Sequence, residues 1–181
     1  MTSAGDVMPA AHQAMTASAM LASWPMKQRD AGMMMVQKYG EPAVMGDRMM
    51  AWMNEGPYTK IVLMRDEVQH NFPMPHVDFL AHTVKHAVPA DKVNDLFMFD
   101  GSLWVHRTRG EMTAECDLEA HNLIALNLGH DVAMGRKTVA QARADYVRLA
   151  MAHKNGDRSD PYTQRLVFAV EPNAAWPDRA P

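Results

Sequence analysis

Apolar side chains in the first third of the chain recur without the strict alternation that is typical of a β-strand. Residues 7–23 are rich in Ala and Met and are predicted to form a helix. A second helix is predicted between Pro25 and Gly40, because a glycine just past the last periodic residue is a common helix end. Pro42 suits the first turn of a third helix, which is predicted to end near Gly56.

The middle of the chain has a different pattern. The β-branched, apolar run Lys60–Arg65 predicts a strand, and Asp66–Glu67 suit a turn into a second, weaker one. In the stretch 75–89, a helix is predicted to begin at Pro75 and to end before Pro89. Asp100–Gly101 has apolar residues on both sides and suits the type I′ turn of a β-hairpin. A short helix that ends at Gly101 is the competing interpretation.

The last third of the chain is again predicted to be mainly helical. Acidic residues crowd the first turns of a long predicted helix over residues 111–134, where the helix dipole favours negative charge. Thr138 and Gln141 form a capping-box pattern that begins another helix, and Gly156 ends it. Residues 164–170 have the composition of a final strand.

Helices outnumber strands in this pattern and do not alternate with them, which favours an α+β fold over a doubly wound sheet. We therefore expect a single, helix-rich α+β domain with a small, mostly antiparallel sheet, since 181 residues suffice for one hydrophobic core. An N-terminal helical arm and an irregular C-terminal tail are expected to flank it. The predicted arm, domain and tail span residues 1–24, 25–172 and 173–181.

Charge and composition exclude some classes of function. Eighteen basic and 21 acidic residues give a net charge of −3, and the basic residues are scattered, so nucleic-acid binding is not expected. No run approaches the roughly 20 apolar residues of a transmembrane helix. The N-terminal sequence shows no signal peptide, so a cytoplasmic location is the default, although an exported mature chain would look the same. Cys116 is the single cysteine, which excludes an intramolecular disulfide.

The stretch FPMPHVDFLAHTVKHAVP carries the main candidate site. On a helix, Asp78, His82 and His86 recur every four residues opposite an apolar stripe. Two histidines one turn apart can reach the same metal ion, and Asp78 would be a third ligand or would orient a ligand. His70 and His76, which the proline-rich turn brings near, could complete a site for zinc or copper.

The competing interpretation of this helix is an ordinary solvent-exposed face, since polar residues lie opposite the apolar stripe of most surface helices. Phe79 would point the same way as the histidines. A neighbouring element, a partner subunit or a ligand is therefore expected to cover that face, which leaves a homo-oligomer open.

Asp117 and His121 lie four residues apart within the apolar part of the long predicted helix, where polar groups need partners. A structural Asp–His pair is the simpler interpretation. A carboxylate that orients an imidazole is also the arrangement of general bases and of metal ligands, so these two residues are the candidate catalytic pair. Any site is expected to lie between this helix and the one predicted over residues 75–89.

Methionine is unusually frequent, with 18 residues in the chain. Met45, Met49 and Met53 would share one face of the predicted third helix. Core packing is the first interpretation of such a stripe, and a copper(I) site or an adaptable apolar groove are the alternatives.

No serine elbow, P-loop, dinucleotide-binding glycine motif, zincin motif or paired C-x-x-C occurs in the sequence. The first expectation is therefore a soluble, non-catalytic domain that binds a protein partner or a small ligand. The second is a transition-metal-binding protein that uses the histidine and aspartate cluster. The third is a metal-assisted hydrolase with Asp117 and His121 as its acid–base pair.

Overall fold

A six-stranded antiparallel sheet forms the centre of the structure, a computed structural model that describes residues 15–176 and 180. Along the chain the strands are β1 (Val44–Gly46), β2 (Met49–Met53), β3 (Lys60–His70), β4 (His76–Lys85), β5 (Leu103–His106) and β6 (Glu111–Cys116). Their order across the sheet is β1-β2-β3-β4-β6-β5, so β4 is paired on both sides, with β3 and with β6.

Five α-helices accompany the sheet among the described residues. They are α1 (Ala17–Leu21), α2 (Met26–Tyr39), α3 (Val93–Phe99), α4 (Glu119–Ala133) and α5 (Val139–Lys154), with short 3-10 helices at residues 90–92, 107–109 and 161–163. Helix α4 packs against β4, β5 and β6 and against α3 and α5, and 12 of its 15 residues are buried. The prediction of a single α+β domain with an antiparallel sheet is confirmed. Within the described part of the chain, no helix combines the length and hydropathy needed to cross a membrane.

Both ends of the described chain pack against the domain. In the region predicted to be a separate arm, Leu21 and Trp24 are buried in the main hydrophobic core. In the predicted irregular tail, Ala174 is buried and the Arg107 guanidinium lies 5.3 Å from the centre of the Trp176 ring. The first part of the predicted arm, residues 1–14, lies outside the described residues.

The helix predicted over residues 75–89 is wrong, because most of this stretch forms β4. Every residue from position 77 to position 84 is buried. A strand that is covered on both faces shows a continuous apolar run, which cannot be distinguished from a buried helix by its period alone. The β-branched side chains of Val77, Thr83 and Val84 were the available signal for a strand.

The third predicted helix is also wrong, since β1 and β2 form a hairpin there. Met50 and Trp52 are buried, whereas Met45, Met49 and Met53 are 38%, 37% and 46% exposed. The methionine stripe therefore does not exist as a helical face, and these three side chains do not fill the core. In a strand of only five residues, the alternation of buried and exposed positions is too brief to outweigh the high helix propensity of Ala and Met.

The long helix predicted over residues 111–134 is two elements, β6 and α4, separated by Asp117 and Leu118. Glu111, which was expected in a helical first turn, lies in the strand and pairs with Lys60 and Lys85 across the sheet. The helix with a capping box at Thr138 and Gln141 is confirmed.

Two further predictions are corrected near α3 and near the C-terminus. The competing interpretation of Asp100–Gly101 is the correct one, because α3 ends at Phe99 and β5 pairs with β6. Residues 164–170 form no strand in the structure. The backbone N–H of Val167 instead donates to Asn127 Oδ1 at 2.8 Å, so a buried side chain of α4 holds this segment in place.

Gly110, in the turn between β5 and β6, is expected to be sensitive to substitution. It has a φ of +60°, and a Cβ there would lie 2.1 Å from the carbonyl carbon of Ala174. Gly110→Ala should lower the free energy of unfolding by about 2 kcal/mol, because it combines backbone strain with a steric clash. Gly101→Ala is the matched control, since its Cβ would meet no atom within 4 Å. Urea denaturation measures both, and equal stabilities would contradict the prediction.

Candidate metal centre

The β3–β4 pair brings His70 and His76 face to face. Leu63 pairs with Leu80, but Val68 pairs with Asp78, so the register shifts through a bulge in β3. Beyond this bulge His70 lies directly opposite His76. Because side chains alternate along a strand, His76 and Asp78 project from the same face of β4.

Two imidazoles and one carboxylate converge at this point. Nδ1 of His70 lies 3.0 Å from Oδ2 of Asp78, and Nε2 of His76 lies 3.0 Å from Oδ1 of Asp78. The side chains of His70, His76 and Asp78 are only 18%, 12% and 6% exposed. One nitrogen or oxygen atom from each of the three lies within 4.8 Å of the other two, so all three could reach one ion.

Hydrogen bonding fixes the tautomer of His76. Its Nδ1 lies 2.8 Å from the carbonyl oxygen of Met74, and because a carbonyl only accepts, Nδ1 carries a proton. In the neutral ring the lone pair then belongs to Nε2, the atom nearest Asp78. Burial tends to lower the pKa of His76, but the Asp78 carboxylate and the Met74 carbonyl outweigh burial and raise that pKa.

Two atoms of this cluster are buried without a hydrogen-bond partner, namely Nδ1 of His70 and Oδ1 of Asp78. Their 3.0 Å neighbours are close, yet these contacts lack the alignment of hydrogen bonds. An unsatisfied buried polar atom costs about 1–3 kcal/mol. A cation between these atoms would satisfy both at once.

Asp100 flanks His70 on its other side, with Oδ1 3.7 Å from Nε2 of His70. This carboxylate is 1% exposed and accepts hydrogen bonds of 2.9 Å from the backbone N–H and the hydroxyl of Ser102. Burial raises the pKa of Asp100 despite these bonds. Sequence reasoning missed Asp100 as a site residue, since nothing in the local pattern links a turn after α3 to the β3–β4 hairpin.

A second group, formed by Cys116, Asp117 and His121, adjoins the first. Nδ1 of His121 lies 2.8 Å from Oδ1 of Asp117, so the side-chain pair that the sequence suggested does form. The Cys116 sulfur lies 3.2 Å from Nε2 of His76, which joins the two groups. Burial and the carboxylates of Asp117 and Asp78 raise the pKa of the Cys116 thiol, which favours the neutral form.

His82 and His86 do not reach this cluster, although they were predicted as ligands of the same ion. A strand rises about 3.3 Å per residue, so His82 lies about 13 Å along β4 from Asp78 and His86 about as far again. The same spacing in a helix would be only about 6 Å. Because β4 is a strand, the predicted ligands do not meet at one ion, and His82 and His86 form polar contacts elsewhere.

Each of these two histidines has its own partners. Nδ1 of His82 accepts a hydrogen bond of 2.9 Å from the Asn122 side-chain amide, and its ring packs against Tyr58 with centroids 4.5 Å apart. His86 lies between Glu171, 2.7 Å from its Nδ1, and His130, 3.1 Å from its Nε2. Burial lowers the pKa of both histidines, that of His82 to about 4.

A pocket of about 360 Å³ opens beside the cluster. His76, Cys116, Asp117 and His121 lie in its wall, so both groups of candidate ligands border it. Comparison with protein-family models, with curated proteins and with solved structures finds no match for this chain. Its function is therefore inferred from the geometry of this region.

The stability of the protein should decrease in acid because of His82. The unfolded chain binds this proton near pH 6.5, whereas the folded protein binds it only near pH 4. Above pH 6.5 His82 is neutral in both the folded and the unfolded state, so its protonation does not destabilise the fold. As the pH falls from 6.5 to 4, protonation of His82 in the unfolded chain lowers the free energy of unfolding by about 3 kcal/mol. His82→Gln should flatten the dependence of the free energy of unfolding on pH between pH 7 and pH 4.

The matched control is His106→Gln, since His106 is exposed. Urea denaturation at several pH values measures the slope for wild type and both variants. The slope, unlike the absolute stability, is independent of any packing defect at position 82. An unchanged slope in His82→Gln would contradict the assignment of this proton to His82.

Proposed function

We propose that this chain is a transition-metal-binding protein whose ion is held by His70, His76 and Asp78. The observation that carries the proposal is the convergence of their ligand-type atoms, two of which are buried and lack a hydrogen-bond partner. Zinc binds imidazole nitrogen and carboxylate oxygen at about 2.0–2.2 Å, which keeps neighbouring ligand atoms of a tetrahedral ion about 3.3 Å apart. The two contacts of 3.0 Å to Asp78 are close to that spacing.

The surroundings of both histidines support the same assignment. A ligand histidine typically donates its second N–H to a carbonyl or a carboxylate, which fixes the ring and its tautomer. The Met74 carbonyl occupies this position for His76, and the Asp100 carboxylate lies on the corresponding side of His70. The donor set of two imidazoles and a carboxylate suits zinc, and it is also used by iron(II) and copper(II).

Metal-assisted hydrolysis is the second candidate function, and the pocket favours it. Three protein ligands leave a coordination position for water or substrate, which is characteristic of catalytic zinc sites. The pocket borders His76 and also the Asp117–His121 pair, which could move a proton. Binding of a small ligand without catalysis would use the same pocket, and the absence of known catalytic motifs from the sequence favours it.

The metal-free protein should bind one equivalent of zinc per chain and become more resistant to heat. Asp78→Asn should weaken binding at least about a hundredfold, because the anionic ligand shared by both histidines is lost. Calorimetric titration, together with elemental analysis of the untagged protein as purified, measures affinity and stoichiometry.

His70→Gln should likewise weaken zinc binding. His106→Gln is its matched control and should bind zinc as the wild type does. Stoichiometric binding that survives both Asp78→Asn and His70→Gln would contradict this site.

A change at Asp100 tests whether the carboxylate beside His70 contributes to the affinity for zinc. Asp100→Asn keeps the size of the side chain but removes the charge beside His70. Zinc affinity is expected to fall about 10–100-fold while the stoichiometry stays at one, as for other groups that orient a ligand. Asp91→Asn, at an exposed 3-10 helix, is the control and should leave the affinity unchanged. An unaltered affinity in Asp100→Asn would mean that this carboxylate does not act on the metal site.

A further inference from the structure

The pocket beside the cluster has a basic mouth, and we propose that it binds a small organic anion with an apolar body. The proposal rests on the proposed function, since it names the class of ligand that would lie next to the metal ion. His76 belongs both to the pocket wall and to the cluster, so a molecule in the pocket would border the ion. A volume of about 360 Å³ is at the lower end of the range for ligand sites, which indicates a small molecule.

The charges that face the pocket are mostly positive. Lys27, Lys154 and Arg158 line it, and none of them forms an ion pair with a carboxylate among the described residues. Asp117 is the one carboxylate in the described lining, and it already accepts a hydrogen bond from His121. The mouth therefore attracts anions even before a metal ion adds its own charge.

Two of the cations contact other residues of the pocket. Nη1 of Arg158 donates to the carbonyl oxygen of His153, which itself lines the pocket. Nζ of Lys154 lies 4.0 Å from the sulfur of Met74, another lining residue. Neither interaction neutralises the cation, so both charges remain available to a ligand at the mouth.

The lining of the pocket is largely apolar. Met74, Leu118 and Ala150 contribute to it, together with Pro73 and Pro75. A ligand with a carboxylate or phosphate at one end and a hydrocarbon body would match both surfaces. A bare inorganic anion would leave the apolar wall exposed to water, and an uncharged hydrocarbon would leave the basic groups unused.

The test compares benzoate with benzamide, two probes of nearly the same shape of which one is charged. Both are titrated into metal-free and zinc-loaded protein by ligand-observed NMR at low ionic strength. Benzoate should bind at least about tenfold more tightly than benzamide, and zinc should strengthen the binding of benzoate further. The double variant Lys27→Gln/Lys154→Gln should weaken benzoate binding about fivefold or more and change benzamide binding less than about twofold. Lys92→Gln, outside the pocket, is the control and should behave as wild type.

The possible results separate this inference from the proposed function. Equal affinity for the two probes, or benzoate binding that the double variant leaves unchanged, overturns the anion pocket while zinc binding still stands. If zinc does not bind, the proposed function falls. The preference for benzoate in the metal-free protein, and its loss in the double variant, then decide whether the pocket recognises anions.

Discussion

The pairing of β4 on both sides is the constraint on which the candidate site depends. Because β3 and β6 hold β4 at both edges, alternate side chains of this strand are fixed on the face that meets α4. The polar side chains at positions 76, 78 and 82 thereby point into the interior, and His86 follows just past the end of the strand. The interior must then supply each of them with a partner, since unpartnered polar groups are costly in a low dielectric.

The polar residues at the start of β4 and those further along it have different kinds of partner. Asn122 of α4 bonds to His82, and His130 of the same helix contacts His86, so the later positions are served by α4. At the start of β4, the neighbours of Asp78 are two histidines whose contacts with it are close but poorly aligned. Nε2 of His82 also lacks a partner, so what sets the start of β4 apart is the convergence of three ligand-type atoms there.

The start of β4 also brings several carboxylates together. Asp78, Asp100 and Asp117 are all largely buried there, and burial together with the neighbouring carboxylates raises the pKa of the Cys116 thiol between them. A divalent ion would offset the negative charge of these carboxylates, and it would give the unpartnered atoms of His70 and Asp78 a partner. The basic mouth of the adjacent pocket lies outside the acidic cluster, so ion and anionic ligand would each be attracted to a different part of the region.

The sequence by itself determined the fold class, the strand at Lys60–Arg65, the capping box of α5 and the carboxylate–imidazole pair of Asp117 and His121. The fold class follows from the order of predicted elements along the chain, whereas the other three features depend on neighbours within a few residues, which local chemistry is enough to specify. The expectation of a site between the 75–89 stretch and the segment around Asp117 stays a prediction.

Only the tertiary structure decided which of the candidate ligands meet. The 75–89 stretch carries an apolar run that suits a buried helix and a central strand equally well, and burial by β3, β6 and α4 selects the strand. That choice doubles the rise per residue, separates His82 and His86 from Asp78, and lets a bulge in β3 bring His70 opposite His76. Asp100 joins them from a distant turn because α3 and β5 fold back onto the sheet, a contact that no local pattern in the sequence encodes.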